Sequence, residues 1–474
     1  MIKTHDELFL KNVKIVDSKG ISEDKDIHIK GGKIYKIGNA GQIKNESGDE
    51  IDGKGLLALP GLIDAHFHAG LGSIKSTISG FKSESRAAIA GGFTSVRAHL
   101  IIGEDGKEGY TGVIDEIIQR TREVSLVDFT YNPMIGTERT IHEMNSLIKK
   151  GINSFKIYYS AYKGEEGKKL GMLIDENISQ VVYRAMEIAA QYKQVRLIFH
   201  AEDGDLVNLF TDRMKRTRSD DSQLELFSNA RPPIAEKIKI NEIGTLSEYL
   251  GTKVHIAHVS SKMAFQAANG WKAKGVNISL ETEPHYLLFD NSMWHSLGVY
   301  GKVNPPLRTP EDRAFMIQMV ANRRVDSIST DTNPFTRQQK ENGTSKFGNI
   351  WRANPGFDNI QLVLPLLITE FVATGKMTVS TLVWAMSERP SKLFSMESKG
   401  KIAVDKDADI VLLDLNKSTK VVGDVLENVP GKSWLIYENR HLVGFPELVL
   451  RRGQLVYDGH KVKEGSKGEF LAAR

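Results

Sequence analysis

Between residues 59 and 394, eight short apolar runs rich in β-branched residues recur, each followed by a longer stretch of helical periodicity. They span 62–68, 93–97, 126–130, 154–158, 196–200, 254–258, 276–280 and 325–331. In 175–193, for example, Ile178, Val181, Val182, Ala185, Met186 and Ile188 fall at helical spacing, and 235–250 and 262–274 look similar. Strand and helix alternating in this rhythm predict a parallel sheet, and eight repeats predict its closure into an α/β fold of the (β/α)8 TIM-like barrel type.

The two ends of the chain differ from the middle. Short strands punctuated by Gly, Pro and Lys-Gly turns occupy 8–37 and return after residue 410. They are expected to pair into one small β-sandwich domain, 1–57 plus 395–474, flanking a barrel over 58–394. The final run, 459–474, mixes Lys and Glu and is expected to be a mobile tail. The longest apolar stretch, 362–372, is broken by Glu370 and falls short of the roughly 18 residues a membrane span requires. Residues 1–17 lack the unbroken apolar core of a secretory signal, so a cytoplasmic protein without membrane contact is expected. The 63 basic and 59 acidic residues are interspersed, which speaks against a nucleic-acid partner.

The chain has no cysteine, so thiolate metal sites, disulfides and cysteine nucleophiles are excluded. Metal chemistry would have to use His, Asp, Glu or modified Lys. His66 and His68, two apart on one strand, face the same way and can share an ion. His200 ends the fifth run, His258 the sixth and Asp331 the eighth. In a barrel of this type the C-terminal strand ends carry the active site, so these five ligands are expected to converge. Lys156 lies inside the fourth run, where a charged ammonium is costly. Either it snorkels to solvent at the strand edge or, the favoured expectation beside four histidines and an aspartate, it is a neutral amine that has taken up carbon dioxide, giving a carboxylate able to bridge two ions. His255 has the opposite parity to His258 and is expected to point toward the helices as a structural residue. His99 and His285, just past strands two and seven, are either neighbours of the site or polar loop residues. The remaining six histidines, His28 among them, are expected to be solvated.

Several stretches resemble the cyclic amidohydrolases of the amidohydrolase superfamily, most closely the hydantoinase and dihydropyrimidinase branch, with dihydroorotase as a sister. They include Leu59-Pro-Gly-Leu-Ile-Asp-Ala-His-Phe-His, Phe155-Lys, His200-Ala-Glu-Asp, His258-Val-Ser-Ser, Glu283-Pro-His-Tyr-Leu, Asn304-Pro-Pro-Leu-Arg and Thr330-Asp. The resemblance implies a hydrolase that opens the amide bond of a cyclic ureide. It implies two divalent ions, zinc by preference: one on His66, His68 and Asp331, the other on His200 and His258, with N6-carboxylysine at Lys156 between them. It further implies that Asp331 shuttles the proton and that a tyrosine hydroxyl, Tyr162 or else Tyr159, donates to the carbonyl oxygen. Asn304 and Asn354 would contact the substrate. A homodimer or homotetramer is implied as well, with dihydroorotase-like or allantoinase-like activity and a metal-free scaffold as the alternatives.

Two departures bear on substrate. Dihydroorotases carry an arginine two residues after the second histidine, where this chain has Gly70. Arg97, Arg308 or Arg352 would have to replace it in space. The histidine that usually follows the catalytic aspartate is Thr332. A neutral ring is therefore expected rather than a carboxylate.

Overall fold

The computed structural model describes residues 7–45, 48–103, 109–159, 167, 172, 174, 177–216, 222–333, 335–358, 360–423, 426–427 and 436–473. Eight parallel strands build the barrel: β6 (Leu62–Phe67), β7 (Phe93–Leu100), β8 (Asp128–Pro133), β9 (Ser154–Tyr158), β10 (Arg196–His200), β11 (Val254–Ile256), β12 (Ile278–Thr282) and β13 (Ser327–Ile328). β6, β7 and β8 form one continuous sheet and β9 to β13 another. Single parallel bridges, Met134 to Lys156 and Phe67 to Thr332, join the two sheets into a closed ring.

Residues on these strands are buried on both faces, as a sheet covered outside by helices requires. Outward-facing Phe155, Ile157, Leu197, Phe199, Leu280 and their neighbours belong to one large apolar cluster with the helices. Helix Ile178–Ala190 supplies Val181, Val182, Ala185, Met186 and Ala189 to that cluster, the face its spacing predicts. Helix Pro233–Leu250 starts on proline and stops at Gly251 in the left-handed conformation, φ 71°. Helix Ile74–Ala90 is capped by the Ser73 side chain, which accepts from the Ser76 N–H.

Both chain ends contribute to one eight-stranded sheet. β1 (Glu7–Asp17), β2 (Gly20–Lys30), β3 (Lys33–Asn39), β4 (Asp49–Asp52) and β5 (Leu57–Pro60) come from the N-terminal side. β14 (Ile410–Leu413), β17 (Pro446–Arg451) and β18 (Gln454–Tyr457) come from the other, and β14 pairs antiparallel with β5. Strands β15 (Ser418–Lys420) and β16 (His441–Val443) pair separately. The large sheet has its own core of Leu10, Val13, Ile27, Ile29, Ile410 and Leu412.

Two expectations are corrected. The C-terminal run is not a mobile tail over 459–473. Phe129 N–H donates to Glu469 O, Leu471 N–H to Phe129 O and Ala473 N–H to Gly151 O, so the segment extends along β8 as added sheet structure. Its apolar Phe470 and Leu471 are what make that docking favourable, and the flanking charges conceal them in a compositional reading. His28 is not simply solvated either: its ring stacks on Phe9 at 4.3 Å and meets Glu7.

The barrel and the terminal sheet are tied by a buried charge cluster. Lys399, 1% exposed, lies 2.6 Å from Asp128 at the start of β8, 3.0 Å from Asp407 and 2.8 Å from Asp409. Arg452 lies 2.8 Å from the same Asp128. Removing one partner of a buried ion pair typically costs about 3–5 kcal/mol, because the remaining charges stay desolvated. Lys399→Ala is accordingly expected to lower unfolding stability by roughly that amount in urea titrations. A change within about 0.5 kcal/mol would show that the cluster does not hold the two parts together.

Candidate metal centre

The first ligand pair is positioned by an irregularity in β6. Its pairing with β7 slips between Asp64 and Phe67, and the Asp64 carboxylate accepts from the His66 N–H at 3.1 Å. Asp64 also accepts from the Thr330 N–H (3.0 Å) and hydroxyl (2.6 Å), which binds the start of the barrel to the loop that carries Asp331. Burial pushes the Asp64 carboxyl up to about 7.

His66 Nε2 lies 3.2 Å and His68 Nε2 3.0 Å from the same Asp331 oxygen. These three residues present donor atoms within 4.8 Å of one another, the spacing of a shared ion. The rings of His200 and His258 meet edge-on with centroids 4.4 Å apart, and the His258 ring is 5.4 Å from that of His66. Two backbone outliers mark the same place: His258 at φ 40° and Asp331 at φ 44°. Non-glycine residues adopt this region at a cost that the surrounding structure must bear, and such strain concentrates where side chains must be aimed. Burial lowers the pKa of His68, His200 and His258, which favours the neutral imidazole that ligates metal. Burial raises the Asp331 carboxyl, but His66 and His68 outweigh it and hold the group well below its usual range.

Lys156 on β9 is fully buried, and its Nζ has no hydrogen-bond partner. Burial pushes the amine down to about 8, against the opposing pull of Glu281, Asp331 and Glu283. The orphaned nitrogen among imidazoles and carboxylates fits a divalent metal centre in which Lys156 is not a plain ammonium.

Glu281 on β12 was not legible as a site residue. One oxygen lies 2.7 Å from His66 Nδ1, while the other lies 3.2 Å from His255 Nε2 and accepts from Ser329 Oγ at 2.6 Å. A carboxylate on the far nitrogen of a ligating histidine fixes its tautomer and orientation. The available signal was parity, since Ser279 and Glu281 are the inward positions of an otherwise apolar strand. His255 is likewise corrected: it points into the barrel, bonded to Ser279 (2.8 Å) and Glu281, not toward the helices. The φ 40° turn at His258 resets the alternation, so both histidines face inward. His99 is inside β7 rather than past it, its ring edge-on to His66 at 4.3 Å. His285 is buried and stacked on Phe357 at 4.7 Å.

The cavity over the ligands is lined by Leu71, Tyr158, Met172, Asn304, Asn333 and Phe335, with Pro355 and Gly356 at its side. Tyr158 is a tyrosine that sequence reasoning passed over. Tyr162 lies outside the described residues. Tyr159 faces outward, its hydroxyl bonded to Glu242, and is thereby removed as a donor to substrate. Asn354 sends its amide to Gln339 O and supports the wall instead of forming it. Among the described residues no Arg or Lys lines this cavity. Arg97 lies below the ligands with Asn153 and Ser154, Arg308 is engaged with Glu236 and Ser260, and Arg352 is exposed. Gly70 has no room for a side chain, because a Cβ there would stand 2.5 Å from Ser76 O.

The amidohydrolase family matches residues 57–432. A dihydroorotase from Methanothermobacter thermautotrophicus is 30% identical over 449 residues, covering 94% of each chain. An L-hydantoinase from Paenarthrobacter aurescens is 25% identical over 473 residues, covering 99% of this chain and 98% of its own. Among solved structures, the L-hydantoinase (dihydropyrimidinase) from Arthrobacter aurescens superposes with a TM-score of 0.87 at 23% identity over the whole of both chains. The D-hydantoinase (dihydropyrimidinase) from Thermus sp. does so with a TM-score of 0.84 at 25% identity, over 98% of this chain and 99% of that one. The family match spans most of the chain and the dihydroorotase is 30% identical over 94% of both chains, and this chain belongs to the amidohydrolase family.

Proposed function

We propose that this protein hydrolyses the ring amide of a neutral cyclic ureide, such as a hydantoin or a dihydropyrimidine, at a pair of divalent ions held with carboxylated Lys156. The chain is a metal-dependent hydrolase of cyclic amides. The observation that carries the finer reading is a cavity with imidazoles and Asp331 at its floor, an unpartnered Lys156 beneath, and no cation on its described walls.

In this reading His66, His68 and Asp331 would hold one ion and His200 and His258 the other, with carboxylated Lys156 supplying carboxylate oxygens to both. Imidazole and carboxylate donors suit zinc. Bound divalent ions would lower the pKa of a water and polarise the attacked carbonyl. Asp331, kept ionised by His66 and His68, takes the proton of the attacking water and delivers it to the departing ring nitrogen. Tyr162 donates its hydroxyl to the carbonyl oxygen as negative charge develops there. Asn304, on the cavity wall, offers amide groups to a ring that carries only amides.

The dihydroorotase from M. thermautotrophicus supports a second reading on the same scaffold. A dihydroorotate carboxylate entering this cavity would be desolvated without a guanidinium beside it, which costs several kcal/mol.

Three outcomes are expected. Metal-loaded protein should hydrolyse hydantoin or dihydrouracil with higher kcat/KM than dihydroorotate at equal pH; the reverse preference would overturn the neutral-ring reading in favour of the second. Asp331→Asn should retain more metal than activity, with turnover down by about 10²- to 10⁴-fold; turnover within a few-fold of wild type would remove Asp331 from proton transfer. Lys156→Ala should lose metal and turnover together, and added acetate or propionate should restore part of both. A Lys156→Ala protein that keeps its metal and full activity would rule out the bridging carboxylate.

A further inference from the structure

Inside the barrel, one layer below the metal ligands, a polar chain runs across β7, β8 and β9. Arg97 Nη2 donates to Asn153 Oδ1 at 2.7 Å, to Ser154 Oγ, and at 3.4 Å to Asn132 Oδ1. Ser154 Oγ donates in turn to the same Asn132 oxygen. Asn132 Nδ2 faces the Arg97 main-chain carbonyl at 3.4 Å and His99 Nδ1 at 3.3 Å. A guanidinium only donates and a carbonyl only accepts, so the Asn132 amide has one consistent orientation, oxygen to Arg97 and NH2 to His99. His99 Nδ1 must therefore accept. In a neutral imidazole the hydrogen then sits on Nε2.

That Nε2–H is buried and meets no acceptor. A protonated nitrogen cannot ligate a metal, so His99 is not an additional ligand, although its ring packs against His66 at 4.3 Å and His68 at 5.2 Å. Lys156 Nζ is another buried nitrogen without a hydrogen-bond partner among the described residues. His99 is level with Asn132 on β8, two residues before Met134, which bridges to Lys156. In the interior each unmet group carries its full desolvation cost. Carbon dioxide added to the neutral Lys156 amine forms an N–C bond, releases one proton to water and creates two acceptor oxygens.

We propose that His99, oriented by Asn132 and Arg97, is the positioning residue for carboxylated Lys156, donating its Nε2–H to a carbamate oxygen. The proposal rests on the reading that Lys156 is carboxylated. It assigns a task to a buried guanidinium that has no carboxylate partner among the described residues: Arg97 fixes the amide that fixes the tautomer.

The test is the carbamate carbon resonance of zinc-loaded protein equilibrated with 13C-bicarbonate, with zinc content measured in parallel. Wild type is expected to show the resonance. His99→Phe should reduce carbamate occupancy at fixed bicarbonate by about tenfold or more, the scale of a lost hydrogen bond to a charged group; His99→Gln, which still offers an N–H, should recover part of it. Asn132→Asp is the variant that separates orientation from folding. It gives Arg97 a countercharge, which should preserve or raise thermal stability, yet it requires His99 to donate from Nδ1 and leaves a lone pair facing the carbamate. Occupancy should fall in that variant too. Full carbamate in His99→Phe and Asn132→Asp, with wild type carboxylated, would overturn the role of His99 alone. No resonance in wild type would overturn the carboxylation of Lys156 and the His99 proposal with it.

Discussion

An amine sealed inside a barrel with nothing to bond to is the constraint around which this molecule is arranged. Lys156 cannot stay a charged ammonium there without cost, and burial brings its pKa down to about 8 even against the pull of neighbouring carboxylates. Everything nearby answers that problem electrostatically. Glu281 and Asp331, both held well below the usual carboxylate range, supply negative charge, while His68, His99, His200 and His258 are held largely neutral by the same burial. A divalent pair matches the surplus of carboxylate over cation that such a group would leave once carboxylated. In the proposed reading Lys156, His66, His68, His200, His258 and Asp331 would form one charge-balanced unit with that pair.

That unit needs rigid walls. Asp64 binds β6 to the Asp331 loop, Glu281 joins His66 to His255, and the Arg97 chain spans three further strands. On the opposite side of the loop Lys302 and Lys340 donate to the carbonyls of Ala353 and Gly356, which sets the cavity wall. At the far end of the barrel the Lys399 cluster and the C-terminal segment along β8 join the terminal sheet to the same strands. Stability and site geometry thus share residues: β8 carries both Asp128, bound to Lys399, and Asn132, bound to His99.

Much of this was legible from residue order, and the failures have physical causes. Strand alternation located His66, His68, Lys156 and His200 because β9 and β10 are regular and β6 keeps two-residue spacing across its irregularity. It misplaced His255, since a left-handed residue at His258 shifts parity and no residue type announces that turn. Glu281 escaped because an acidic residue within an apolar run carries no spacing motif, and its meaning appears only when His66 and His255 are brought to either side. The C-terminal segment was misjudged by its charge, when two apolar residues decide its docking. Tyr159 and Tyr162 could not be separated by spacing; Tyr159 turns outward to Glu242, and Tyr162 lies outside the described residues.

The absence of a cation among the described residues of the cavity wall is built more deeply than a single position. Gly70 follows the second metal-ligating histidine directly after Ala69 and precedes a helix whose first turn carries Ser76. A Cβ at 70 would lie 2.5 Å from Ser76 O and 2.6 Å from its Oγ, so any side chain there would displace the start of that helix. The same helix approaches Ala69 through Gly80, where a Cβ would overlap the Ala69 carbonyl. Two glycines therefore let helix Ile74–Ala90 close over the end of β6. A guanidinium at residue 70 requires that helix to move outward, and with it the apolar contacts of Phe81 against Phe67 and Phe129. The exclusion of a side chain at residue 70 is coupled to the packing of the first barrel helix.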